Sequence, residues 1–362
     1  MTTILWLRAE TKPQEARSAI APDHARSLIA HGFEVRVERS RQRAIPDESY
    51  AAAGCILVQA GSWVLAPNDA FIIGVKDLPN DAQPLHHRHI YFGHAYKEQQ
   101  GWQSLLRRFK DGNGKLYDIE YLVDGSGRRV AAFGYWAGFT GCAVGVKVWT
   151  GQQLGRDPVV PSILPYPGQD QLLDEMEREL AEATAAVGRK PDVIIVGAAG
   201  RVGTGAGDLA EGMGLEVTRW DIEETARGGP FEEILEHDLF VNCVLVDRKI
   251  APFVTMETLT KGDRRLSVIS DVSCDPGEYN PVPVYSKATT FTDPAIRVID
   301  SPPLDVTAID HLPSMLPVEA TEDFGNQLLP HLLELGTDPK GVWRRALDVF
   351  QEKTLNMKPS KS

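Results

Sequence analysis

The chain has 362 residues, 43% of them hydrophobic and 24% charged, an ordinary globular composition that is long for one core and predicts two domains. A net charge of −12, with no basic cluster beyond residues 261–265, excludes a nucleic-acid or anionic-membrane partner and points to a small molecule. The four cysteines, Cys55, Cys142, Cys243 and Cys274, have neither CxxC spacing nor a nearby histidine pair, which argues against a zinc site or a disulfide framework.

No metal is expected, and the cysteines read as buried thiols of a cytoplasmic protein. Nowhere do about eighteen apolar residues follow one another, so no membrane span is expected. The terminal KPSKS lacks the final leucine of a peroxisomal signal. With no long apolar face left over, the chain reads as a monomer.

From the start, apolar runs alternate with helical patterns: TILWLRA, DHARSLIAHG, EVRVER, a short helix, then CILVQA. That alternation predicts βαβ units and a parallel sheet. FIIGVK and HIYFGHAYK read as further strands, GWQSLLRRF as a helix, and DGSGRR as the turn of a hairpin-like pair. YWAGFTGCAVGVKVWTGQQL reads as a helix of small residues able to cross from one lobe to the other. After a proline-rich loop, QLLDEMERELAEATAAV sets Leu172, Leu173, Met176, Leu180 and Ala183 on one helical face. DVIIVGAAGRVGTGAGDLAEGMG is strand, glycine turn and helix; EVTRWD, LFVNCVLV and LSVISDVS are strands of a second sheet, and the chain is helical beyond AIDHLPSMLPVEA.

The expected fold is α/β: two Rossmann-like domains with parallel sheets flanked by helices and an active-site cleft between them. Residues 1–135 with 320–362 form the substrate side, and residues 136–319 bind the dinucleotide.

Gly197, Gly200 and Gly203 follow an apolar strand and precede a helix, a context in which backbone amides and a helix N-terminus are aimed at a pyrophosphate. Asp221 ends the next strand about 20 residues on, where a carboxylate accepts hydrogen bonds from an adenosine ribose and favours NAD over NADP. Read structurally instead, the glycines are a tight strand-to-helix turn and Asp221 a solvated strand end. Lys76 closes the apolar FIIGVK at a strand's carboxyl edge, where open α/β sheets bind ligands; a desolvated lysine can serve as a base, with Asp77 and Glu120 setting its level. Its bland reading is a snorkelling ammonium. Period-two alternation puts His94 on one face with Ile90, Phe92 and Tyr96, so its bland reading is a satisfied core histidine.

LRAETKPQEARSAIAP, IIGVKDLP, FGHAYKEQQGW, YDIEYL, GRRVAAFG, GAAGRVGTGA, WDIEETARGGPFEEI, ISDVSCDP and IDHLPSMLP together resemble the NAD-dependent, lysine-forming saccharopine dehydrogenases, of the alanine dehydrogenase/transhydrogenase-like superfamily. The resemblance implies reversible oxidative cleavage of saccharopine to lysine and 2-oxoglutarate, with Lys76 as base and His94 as acid/base for imine hydrolysis. It places Arg17, Lys97, Gln99, Arg129, Phe133, Ser273, Cys274 and Asp275 at the substrate, and Arg17 and Arg129 offer carboxylates a planar fork. Arg128, Gly197, Gly200, Arg201, Gly203, Asp221, Thr225, Leu245, Val272, Ile309, Asp310, His311 and Leu312 fall on the nucleotide side. The family has glutamate where this chain has Asp77, and a small residue where it has Cys274. Val202 occupies a position where some members carry a cysteine, leaving Cys243 without that partner. Three rivals stay open: an alanine dehydrogenase-like enzyme, another opine-type dehydrogenase, and an NAD-binding regulatory protein without turnover.

Overall fold

The computed structural model describes residues 2–79, 81–97, 99–246, 248–261, 264–275, 277, 279–337, 340–355 and 357. The KPSKS tail, Glu98 of the YKEQ motif and Pro276 lie outside them. Two compact units emerge, Met1–Ala132 with Pro317–Ser362, and Phe133–Leu316.

The first unit begins β1 (Ile4–Leu7), α1 (Pro22–Ala30), β2 (Glu34–Glu38), α2 (Asp47–Ala52), β3 (Ile56–Val58), β4 (Phe71–Ile73), β5 (Arg88–Tyr91), α3 (Trp102–Gly112) and β6 (Lys115–Asp118). Its sheet runs β3-β2-β1-β4-β5-β6, every neighbour parallel. The order reverses between β1 and β4, the switch point at which such sheets open a crevice at their carboxyl ends. β5 is shorter than the apolar run HIYFGHAYK predicts: the regular strand ends at Tyr91, and His94 turns at φ 47°. That left-handed backbone lifts His94 out of the inward-facing series and leaves it exposed. The DGSGRR turn makes a single antiparallel bridge, Val123 to Arg129, rather than a hairpin of strands.

The second unit holds α4 (Gly134–Gln153), α5 (Gln169–Val187), β7 (Asp192–Val196), α6 (Arg201–Gly212), β8 (Glu216–Trp220), α7 (Ile222–Thr225), β9 (Leu239–Asn242), α8 (Met256–Thr260), β10 (Val268–Asp271), β11 (Ile296–Ile299) and β12 (Leu304–Thr307). The helix of small residues, α4, lies wholly within this unit, packed on α6, α5 and β10. Leu172, Met176, Leu180 and Ala183 of α5 are buried as the periodicity predicts, with Leu173 at the margin. The sheet order is β11-β12-β10-β9-β7-β8, parallel except for β11 on β12. β11 and β12 are absent from the sequence reading: β11 is a half-exposed edge strand whose alternation is weak, and Pro302 and Pro303 separate it from β12.

The chain then returns to the first unit. α9 (Pro317–Leu332) holds the segment before α1 through Thr321 Oγ1, which accepts from the Ser18 amide at 3.0 Å, and α1 itself through Asn326 Oδ1, 3.0 Å from His24 Nε2. α10 (Val342–Thr354) covers β6 and α3, with Trp343 edge-on to Tyr117 and Phe350 edge-on to Phe109.

Candidate functional site

In the first unit the charged residues gather just beyond the carboxyl ends of β4 and β5. The ladder continues past both strands, the Gly74 amide donating to the Ile90 carbonyl and the Phe92 amide to the Val75 carbonyl, so Lys76 and His94 leave adjacent strands on the same edge. Lys76 is half-buried, Asp77 and His94 are exposed, and the His94 ring stacks on Phe92 with centroids 6.4 Å apart. Strand burial thus stops at Ile73 and Val75, and the charges begin where solvent does.

Two acidic groups organise the cations here. Glu120 accepts from Lys97 Nζ at 2.7 Å and from Arg129 Nη2 at 3.2 Å. Burial works against its charge, but Lys97, Arg129 and His94 outweigh that and hold the carboxyl below its usual range. Glu15, which sequence reasoning left inside a motif without a role, faces Lys76 and Arg17; they overcome an opposing burial effect and keep its carboxyl low. The Arg17 fork that the sequence reserves for a substrate carboxylate is engaged by Glu15, Nε donating at 2.8 Å and Nη2 at 2.6 Å. The reason is burial: Arg17 is 3% exposed, and a guanidinium out of water requires a counter-charge.

Gln99 turns its side-chain oxygen back to the Lys97 amide at 2.9 Å. A cavity of 400 Å³ opens beside His94, Asp77 and Gln99 and reaches Trp102 and Ser104. Asp118, also missed in the sequence, is buried beneath this edge and accepts from the Glu120 amide at 3.0 Å. Its only sequence signal is its place at the end of β6, immediately before the Glu120 turn.

The second unit carries the nucleotide features. β7 ends in the glycine turn and α6 starts at Arg201, with Gly200 as its N-cap. A β-carbon on Gly203 would run into the Gly197 carbonyl and the Ala198 backbone, so the close helix-to-turn approach requires glycine. Asp221 follows β8 and accepts from the Ala199 amide at 2.8 Å through one oxygen and from the Ile222 amide at 2.9 Å through the other. Thr225 donates to the Asp221 carbonyl at 2.8 Å. Gly197, Gly200, Asp221, Thr225, Cys243 and Leu245 line one cavity of 710 Å³. Turn, carboxylate and cavity fit a dinucleotide.

The first unit has the corresponding acid, Glu38, at the end of β2, yet it serves the unit's own backbone. It accepts from the Ala9 amide at 2.9 Å, the Gly61 amide at 2.9 Å, the Trp63 amide at 2.7 Å and Trp6 Nε1 at 3.2 Å. A carboxylate so engaged is not offered to a ribose.

Other candidate positions are less uniform. Ile309 and Leu312 are 1% and 3% exposed and so present little surface to a ligand, whereas Asp310 is exposed and Val272 half-buried. His311 stands edge-on to Phe291 with centroids 4.9 Å apart. Arg201 is exposed, Phe133 half-buried, and Arg128 belongs to the first unit, 3.9 Å from Asp124.

Ser273 donates to Asp271 at 2.6 Å, which fixes the base of the loop bearing Cys274 and Asp275. Cys274 adopts φ 47° and directs its thiol to the Ala308 carbonyl at 3.1 Å; burial and the charges of Asp310, Asp271 and Asp275 push that thiol up to about 12. The four cysteines are unpaired, and burial holds the Cys243 thiol well above its ordinary range, which makes it a poor nucleophile. Among the described residues, no group of three His, Cys, Asp or Glu is disposed to hold a metal, and no helix is long and apolar enough to cross a membrane.

Residues 6–140 match the model of the alanine dehydrogenase/PNT N-terminal domain. The chain is 48% identical to saccharopine dehydrogenase [NAD(+), L-lysine-forming] of Yarrowia lipolytica, over 98% of each chain. To the protein of the same name from Schizosaccharomyces pombe it is 47% identical, over 96% of this chain and 97% of that one. Its fold is similar to that of an L-alanine dehydrogenase, with a TM-score of 0.65 at 18% identity over 97% of this chain and 94% of the other. A transhydrogenase from Sinorhizobium meliloti gives 0.64 at 16% identity, over 95% and 97%.

Proposed function

The chain belongs to the saccharopine dehydrogenase family, NAD(+)-dependent and L-lysine-forming, and on that premise we propose how its residues divide the reaction. It is an oxidoreductase that uses NAD, acts on small molecules, and converts saccharopine to lysine and 2-oxoglutarate reversibly. NAD, when bound, accepts a hydride from the carbon that carries the secondary amine.

Asp221 holds the adenosine ribose and the amides at the start of α6 face the pyrophosphate, in the manner of the Rossmann fingerprint. Lys76 takes the proton of the secondary amine. His94 removes a proton from the water that adds to the C=N carbon, then returns one to nitrogen as the carbinolamine collapses. Both groups stand at one sheet edge, and the cations beside them suit a substrate with three carboxylates. Lys97 and Arg129 form one such group around Glu120, and Arg17 lies by Glu15. Asp77 and Glu120 add negative charge beside the pair.

The observation that carries this reading is 48% identity over nearly the full length to a lysine-forming relative, together with Lys76 and His94 just beyond the ends of adjacent strands. The rivals lack that combined support. NADH oxidation with lysine plus 2-oxoglutarate tests it, against pyruvate plus ammonia and against ornithine or alanine in place of lysine. Turnover with lysine is expected; turnover with pyruvate and ammonia and none with lysine would overturn it. We assign the protein to the cytoplasm, in keeping with its unpaired cysteines, and to a monomeric state, which light scattering on the eluting protein checks.

A further inference from the structure

Resting on Lys76 as the base, a further question is what fixes its main chain, since β4 ends at Ile73. Two side chains from beyond β1 close on it. Arg8 donates from Nη2 to the Lys76 carbonyl and from Nη1 to Glu10 at 3.2 Å. Glu10 accepts from the Val75 amide at 2.6 Å and from the Lys76 amide at 3.0 Å. Both backbone polar groups of Lys76 are therefore held by one ion pair, whose side chains are 1% and 5% exposed.

Such a pair is a poor stability device, because desolvating two charges offsets most of their attraction. Its value lies in geometry. The Arg8 guanidinium lies over the Tyr91 ring, 5.6 Å from the centroid. It also lies against Gly74, where a β-carbon would stand 2.5 Å from Cζ and Nε of Arg8. Absence of a side chain at position 74 lets the guanidinium reach past the backbone to the Lys76 carbonyl.

We propose that Arg8 and Glu10, admitted by Gly74, are positioning residues that fix the Lys76 peptide and so the place from which its amine reaches the substrate. They touch no reacting atom. A reacting group displaced by about 1 Å loses on the order of a hundredfold in rate, so the cradle acts on kcat rather than on affinity.

Gly74→Ala, which changes no charge, and Glu10→Gln test this in the full chain, alone and in a Lys76→Met background. Each alone is expected to lower kcat about ten- to a hundredfold, with KM for lysine changed far less and NADH affinity by fluorescence within about twofold. In the Lys76→Met background neither is expected to lower the residual rate further, since both act through Lys76. A general structural role would instead repeat the full loss there, and that result overturns the inference. Near-normal kcat in Gly74→Ala and Glu10→Gln beside a crippled Lys76→Met overturns it alone. Normal turnover by Lys76→Met removes the base reading and this one with it. Should Glu10→Gln fail to bind NADH through misfolding, Gly74→Ala decides.

Discussion

Asp118 is fully buried and its carboxyl is pushed up to about 7, chiefly by burial and secondarily by the charge of Glu120, against the Glu120 and Gly93 amides and Arg129. Tyr91, Tyr96 and Tyr121 also face it and share its field. The sign of the consequence follows from proton counts. Between the ordinary 3.8 and about 7 the folded chain keeps a proton that the unfolded chain releases, so stability present below pH 3.8 is lost as pH rises towards 7 and is flat beyond. The whole interval corresponds to at most roughly 4 kcal/mol. Asp118→Asn keeps a side-chain acceptor for the Glu120 amide but cannot ionise. Urea unfolding at pH 5 and pH 8 should therefore show the variant gaining on the parent at the higher pH. An equal stability difference at both values would exclude Asp118 as the titrating group. His89 acts in the opposite range: buried and held well below 6.5, it contributes stability that is lost as pH falls below 6.5.

At the scale of elements, the β7 turn and the end of β8 form one device, because Asp221 bonds the Ala199 amide of the turn and caps α7. Removing that carboxylate in Asp221→Ala deletes a charged acceptor, a change of about 1.5–3 kcal/mol. NAD affinity measured by calorimetry should fall by roughly ten- to a hundredfold on that basis, and discrimination against NADP should shrink. Unchanged discrimination would assign the ribose elsewhere. This device was legible in sequence because all its parts lie within one strand-turn-helix-strand stretch. The same holds for the α5 stripe and the early βαβ alternation. Less legible was anything fixed by distant partners. Glu10 meets Val75 across 65 positions, and no local period announces it. Arg17 is engaged by Glu15 only two residues away, but the burial that makes the pairing necessary comes from distant packing. A period-two pattern extended through Gly93 puts His94 on an inward face, whereas His94 itself turns left-handed. β11, an edge strand with half-exposed residues, has little alternation to read.

Across the molecule, each unit has its own apolar core, and the chain closes the first unit only when α9 and α10 return to it. Phe350 of α10 is 6% exposed and belongs to a cluster with Tyr91, Tyr96, Leu106 and Phe109, the layer beneath the Lys76 and His94 edge. Phe240 of β9 is fully buried in a cluster of the second unit with Ile194, Val196 and Ile269. Truncating either ring to alanine costs about 3–5 kcal/mol through lost burial and the cavity left behind, but the damage belongs to different cores. On heating, Phe350→Ala should lose lysine-dependent turnover at a temperature where NADH binding by fluorescence persists, because the nucleotide features lie in residues 133–316. Phe240→Ala should lose NADH binding first, with turnover falling alongside it. Simultaneous loss of both readouts in both variants would mean that the two cores unfold as one cooperative body, and the assignment of separate tasks to separate units would then have no expression in stability.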